Sequence, residues 1–183
     1  YARENRMKSL LVVTLTCPDR PGIVERVTEV ISRFSANWEE SRMAHLGGDF
    51  AGIVKISVAE ERAEDLARAL RELANEEMAV LVRTTRMTGK DSWAGYALCE
   101  LRLEGADHEG IVHTVSAYLA EKGVNVEDME TKVVPAPVSA TPLFRMEAHI
   151  NVPPGLPPAE LQANLERIAE ELGVDIRVRP CQP

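Results

Sequence analysis

Apolar residues along this chain fall into two spacings that take turns. Residues 10–15 (Leu-Leu-Val-Val-Thr-Leu) form an apolar, β-branched run, and Ala97, Cys99, Leu101 and Leu103 alternate with other residues, so both stretches predict strands. Behind each, the spacing becomes helical: Ile23, Val24, Val27, Val30, Ile31 and Phe34 in one place, Ile111, Val112, Val115 and Leu119 in the other. Pro21 suits the first turn of the earlier helix. Extended runs over 37–45 and 50–58 meet at Gly47-Gly48, a hairpin signal because glycine accepts positive φ. Runs over 124–134 and 143–152 repeat that arrangement. Second helices follow on Leu66, Leu70 and Leu73, then on Leu161, Leu165, Ile168 and Leu172, the latter closed by Gly173. Strands over 79–83 and 174–178 end each series.

The series is one unit written twice. Asp19-Arg20-Pro21-Gly22-Ile23-Val24 recurs as Asp107-His108-Glu109-Gly110-Ile111-Val112, an offset of 107 − 19 = 88, and Asn37-Trp38-Glu39 recurs as Asn125-Val126-Glu127 at the same offset. Past the hairpin the offset becomes 144 − 50 = 94 for Phe144 and Phe50, so the second hairpin is about six residues longer and is stiffened by Pro135, Pro137 and Pro142. The predicted fold class is α+β: two tandem ferredoxin-like βαββαβ domains over 8–87 and 95–180, each an antiparallel sheet with two helices on one face. The linker between them, 88–94, contains the polar stretch Thr88-Gly89-Lys90-Asp91-Ser92.

Charge narrows the function classes. A formal net charge of −8 argues against direct nucleic-acid binding, which rests on clustered Lys and Arg. No apolar run approaches the roughly 20 residues of a membrane span, and the charged first residues lack a signal-peptide core; Met7 reads as a natural start. Cys17, Cys99 and Cys181 are odd in number and widely spaced, which points to a reducing, cytoplasmic setting. The four histidines show no helical i, i+4 pair and no Gly-x-Ser-x-Gly elbow is present, so neither a metal, a cofactor nor a catalytic residue is expected. The charges over 60–72 and 160–171 read as solvated helix faces, with Glu64 and Arg68 as an i, i+4 pair. Trp38 and Trp93 are candidates for a protein contact, although partial burial is the commoner fate of tryptophan.

Chemistry concentrates at the turn between first strand and first helix. Gly22 and Gly110 let backbone N–H groups approach a ligand, a helix start favours a carboxylate, and Asp19 or Asp107 offers acceptors to an ammonium. Asn37 and Asn125 follow each glycine by 37 − 22 = 15 residues, and the return of the chain beside the first strand predicts that each Asn faces the turn. The rival reading makes Asp a helix cap, Gly a turn residue and Asn a strand-entry residue, and duplication would copy structural residues as faithfully as functional ones.

At these residues the sequence resembles the ACT domain family, whose βαββαβ module carries an Asp/Asn-x-Pro-Gly turn and a later Asn. The resemblance implies modules that pair through their sheets and bind amino acids at the seam. It points to Asp19, Arg20, Pro21, Gly22, Ile23 and Asn37, then Asp107, His108, Gly110, Ile111 and Asn125, as ligand-binding residues. Two such modules with little else are similar to the glycine cleavage system transcriptional repressor group. That similarity implies a small amino acid such as glycine or serine, and a partner regulatory protein in place of direct nucleic-acid contact. Glu109 and His108 depart from Pro21 and Arg20, so the two copies are expected to differ. Open sheet edges make pairing within the chain, or a homodimer through the sheets, the expected assembly. The competing classes are a ligand-free interaction module and a regulatory relative of a formyltetrahydrofolate hydrolase, the latter left with no residues for a catalytic domain.

Overall fold

A computed structural model describes residues 8–85, 93–136 and 141–181. The chain divides into two compact units, Tyr1–Gly89 and Lys90–Pro183. Most of the expected linker, 88–92, and the tip of the second hairpin, 137–140, lie outside the described residues.

The first unit runs β1 (Lys8–Pro18), α1 (Ile23–Arg33), β2 (Asn37–Leu46), β3 (Asp49–Ala59), a single 3-10 turn, α2 (Ala63–Arg71) and β4 (Ala79–Thr85). The second runs β5 (Ala97–Ala106), α3 (Ile111–Glu121), β6 (Asn125–Pro135), β7 (Pro142–Val152), α4 (Pro158–Leu172) and β8 (Val174–Pro180). Each sheet has four antiparallel strands, in the orders β2-β3-β1-β4 and β6-β7-β5-β8. These are the two α+β, ferredoxin-like modules that the periodicity predicts.

Alternation along the central strands decides which face is covered. Leu11, Val13, Leu15 and Cys17 of β1 are buried against Ile23, Val27, Val30 and Ile31 of α1 and Leu66, Ala67 and Leu70 of α2. Cys99, Leu101 and Leu103 of β5 meet Ile111, Val115, Leu119, Leu161 and Leu165 in the same way. The opposite face of each sheet carries no helix, so its residues are set by other demands. Gly47 and Gly48, at φ 62° and 93°, make the tight β2–β3 turn that only residues at ease with positive φ allow.

Local details differ from the sequence expectation where side-chain reach overrides spacing. Pro21 stands in the turn ahead of α1, whose N-cap is Gly22; the proline in a first helical turn is Pro158, in α4. Arg68 pairs with Asp65, and Glu64 pairs with Arg71 at 3.3 Å in place of the i, i+4 partner Arg68. Trp38 packs against the first core, and Trp93 sets its ring edge-on to Tyr96, 5.1 Å between centroids.

Gly105 on β5 tests the central pairing. A Cβ there would sit 2.5 Å from Cγ1 and 2.8 Å from the backbone Cα of Val174, its partner on β8. Gly105→Ala is expected to destabilise the second module by about 1–3 kcal/mol, the usual cost of overpacking, read as a lower urea midpoint.

Candidate ligand-binding turns and strand ends

Both first turns have one backbone solution. Gly22 (φ 92°, ψ 0°) and Gly110 (φ 90°, ψ −9°) are left-handed N-caps of α1 and α3, and neither helix start has a side-chain cap. The amides of Arg26 and Thr114 donate to the Gly22 and Gly110 carbonyls at 3.1 and 2.9 Å, which leaves the N–H groups of the first turn without intrahelical partners. A Cβ at Gly110 would meet nothing within 4 Å, so the glycine answers to φ and not to crowding. Ile23 and Ile111, the first helical residues, are buried and pin each turn to its core.

Asp19 and Asp107 are exposed at these turns. The Asp19 amide donates to the Gly48 carbonyl at 2.9 Å and that of Asp107 to the Pro142 carbonyl at 3.0 Å, so each turn is clasped to the neighbouring hairpin despite the unequal hairpin lengths. The Asp19 carboxylate caps nothing; it lies 3.8 Å from Nε2 of His45.

The residue after each Asp straps the turn to the end of the second helix. Arg20 Nη1 bonds Glu77 Oε2 at 2.6 Å, in the connection from α2 to β4. His108 reaches the corresponding place with Nε2, 2.8 Å from the carbonyl oxygen of Leu172, the last residue of α4, while Nδ1 lies 2.9 Å from the carbonyl oxygen of its neighbour Glu109. Carbonyl oxygens only accept, and a neutral imidazole has one N–H, so both bonds exist together only in the imidazolium. The Glu109 and Leu172 carbonyls, in that order, raise the His108 pKa against a small desolvation cost, and Asp107 adds to them.

The two asparagines begin β2 and β6, but not beside the turns. Asn37 pairs in register with Ser57 and Asn125 with Asn151, whereas the strand ends leading into the turns pair Pro18 with Asp49 and Ala106 with Leu143. Ser57 also pairs with Leu10, so eight strand residues, roughly 26 Å at about 3.3 Å each, separate the Asn37 row from Pro18. The expectation that Asn faces the turn within its own module is therefore corrected: α1 carries the chain along the sheet, and β2 starts at the far end.

At that far end lies a polar pair that residue types alone do not single out. Register slips between Trp38 and Glu40, and between Val126 and Asp128, make β-bulges at Glu39 and Glu127. Glu39 Oε1 accepts from Asn37 Nδ2 at 2.9 Å and, by a short bond, from the Ser57 hydroxyl; Glu127 Oε2 accepts from Asn151 Nδ2 at 2.9 Å. Ser57 and Asn151 are the buried polar residues of the two sheets among the described residues. The Ser57 hydroxyl first, then the Asn37 amide, hold the Glu39 carboxyl below the ordinary range, with Lys8 and Lys55 helping against desolvation. In the sequence, the recurring Asn-x-Glu marks these positions.

Among the described residues no group of three or more His, Cys, Asp or Glu is arranged to hold a metal ion, and no helix is long and apolar enough to cross a membrane.

The His108 strap has a defined pH sign. A folded pKa above the unfolded value contributes stability that is complete below the unfolded value and lost as pH rises through the folded one. The melting temperature of the second module in the full chain should therefore exceed that of His108→Gln most below the ordinary histidine pKa of about 6.5 and lose that margin as pH rises above it. A margin flat with pH in differential scanning calorimetry would remove the strap.

Comparison with known proteins agrees with this architecture. The ACT domain family model matches residues 9–85. The glycine cleavage system transcriptional repressors of Escherichia coli (strain K12) and Shigella flexneri are each 25% identical over 169 residues, spanning 92% of this chain and 86% of theirs. A UPF0237 protein of Methanopyrus kandleri is 36% identical over 76 residues, 41% of this chain and 78% of its own. An unknown protein from Galdieria sulphuraria, solved by crystallography, has a TM-score of 0.83 and 36% identity over 96% of this chain and 100% of that one. The first module, which the ACT domain family model matches over residues 9–85, is an ACT domain, and the second module repeats its strand order and its glycine-headed helix.

Proposed function

We propose that this protein is an amino-acid-binding regulator of amino-acid metabolism that acts through partner proteins and not by catalysis. One observation carries the reading: in both modules a left-handed glycine heads an uncapped helix whose free N–H groups and positive dipole end suit a carboxylate, with an exposed Asp beside them for an ammonium. That pairing of charges is the chemistry of a free amino acid. The similarity to glycine cleavage system transcriptional repressors adds glycine, or the slightly larger serine, as the ligand class. The acidic balance of the chain favours a protein partner over direct nucleic-acid contact.

Because the turn and the Asn stand at opposite ends of a sheet, a small ligand does not touch both within one module. Asp19, Arg20, Pro21, Gly22 and Ile23 form one half-site and Asn37 another; Asp107, His108, Gly110 and Ile111, with Asn125, form the second set. Binding regulates only by being tighter in one arrangement than in another, so the partner reads that difference. At a ceiling of about 1.5 kcal/mol for each of five heavy atoms, glycine binds with micromolar affinity at best.

Calorimetric titration and thermal shift against millimolar amino acids should give a saturable response to glycine or serine. Asn37→Ala combined with Asn125→Ala should weaken that response at least about tenfold, while the unliganded stability stays within about 1 kcal/mol. Silence across the twenty amino acids would leave a ligand-free interaction module instead.

A further inference from the structure

Two rows of the helix-free faces differ sharply in charge between the two modules. In the first, the rows across β2, β3, β1 and β4 read Ala44, Ala51, Thr16 and Ala79, then Arg42, Ile53, Thr14 and Leu81. The corresponding rows across β6, β7, β5 and β8 read Lys132, Arg145, Glu104 and Asp175, then Glu130, Glu147, Arg102 and Arg177. All eight of these second-module residues are exposed. The fold does not require them, since the first module is built on the same strands with small neutral residues at most of these positions.

Their order costs the module stability. Lys132 lies directly opposite Arg145, Glu104 opposite Asp175, Glu130 opposite Glu147 and Arg102 opposite Arg177, four like-charge pairs where a sheet in isolation favours unlike ones. Ion pairs relieve part of the conflict: Arg145 with Glu104, Arg102 with Glu100 at 2.8 Å and Lys132 with Glu130 at 2.5 Å. Glu147, Asp175, Arg177 and Arg179 make no ion pair among the described residues. A groove of about 350 Å³ lies between Arg102, Glu104, Arg145, Glu147, Asp175 and Arg177.

The four quadrants are positive and negative in one row, negative and positive in the next, a pattern complementary to itself. We propose that this face of the second module is a docking surface for the same face of a second copy of the chain, about a two-fold axis parallel to the strands. The rotation lays the β6–β7 half of one copy over the β5–β8 half of the other. Lys132 and Arg145 then meet Glu104 and Asp175, and Glu130 and Glu147 meet Arg102 and Arg177. The next row follows the same rule at its ends, Asp128 on β6 meeting Arg179 on β8, which is why the axis runs along the strands and not across them. Four strands about 4.8 Å apart make a small patch, so the dimer is weak, and its charges make it sensitive to salt. This assembly needs no ligand and is independent of the amino-acid reading.

Sedimentation velocity of the full chain without added amino acids, from about 10 to 500 μM, tests it. At about 50 mM NaCl a dimer is expected, with its dissociation constant raised at least about tenfold at about 500 mM. Arg102→Glu with Arg177→Glu makes one row wholly negative, and Glu130→Lys with Glu147→Lys makes it wholly positive. Each variant should sediment as a monomer at 50 mM NaCl, and an equimolar mixture should recover the dimer. Should either double variant fail to fold by circular dichroism, the edge-strand single variants Arg177→Glu and Glu130→Lys carry the same test. A chain monomeric at every concentration, a dimer indifferent to salt and to these changes, or variants that do not complement each other would overturn the proposal.

Discussion

Burial of one sheet face beneath two helices is the constraint from which the rest of each module follows. To cover that face, α1 and α3 must run along it, and this separates the start of the helix from the start of the next strand by the length of the sheet. The glycine turn and the asparagine are thereby sent to opposite ends. The same burial fixes Ile23 and Ile111 in the core, so the turn just ahead of each helix is held in place by packing. A left-handed glycine then becomes the residue that lets the chain leave β1 or β5 and enter the helix without strain.

What duplication kept and what it changed separate along the same line. Both copies keep the positive φ at the turn, the backbone clasp from the Asp amide to the hairpin, and a bulged Glu holding a buried polar side chain of the adjacent strand. Each answers a backbone or burial demand that neither copy can escape, because a buried hydroxyl or amide without a partner is costly. The strap from turn to second helix keeps its destination but changes its chemistry, from a permanently charged Arg20 to a titrating His108. Two rows of the open faces changed from mostly neutral to wholly charged, while the next keeps an acidic residue on one edge strand and an Arg on the other, Glu40 and Arg83 against Asp128 and Arg179.

The likeness of the two modules therefore bears mainly on folding, and the differences bear on use. In each copy the helix start is uncapped. Two rows of the open face are mostly neutral in the first copy and wholly charged in the second, which gives the copies unlike surfaces.

The amino-acid sequence by itself determined the architecture, because side-chain periodicity is a local property: the apolar run of β1, the alternation in β5, helical spacing in α1 through α4, and the glycine pair at the first hairpin can all be read without knowing what packs where. The constant offset of 88 exposed the duplication and singled out Asp19, Gly22 and Asn37 with their counterparts. Tertiary structure alone decided where those residues stand. Asn37 lies far from Gly22 because strand register depends on partners distant in the chain, and no spacing between the two encodes the direction of the helix between them. Glu39 and Ser57 are 18 residues apart, and only the bulge and the pairing of β2 with β3 bring them together. The ordered charges on the second module's open face were likewise hidden, since along each strand they look like ordinary polar alternation; they become rows and quadrants only when four strands are laid side by side in register.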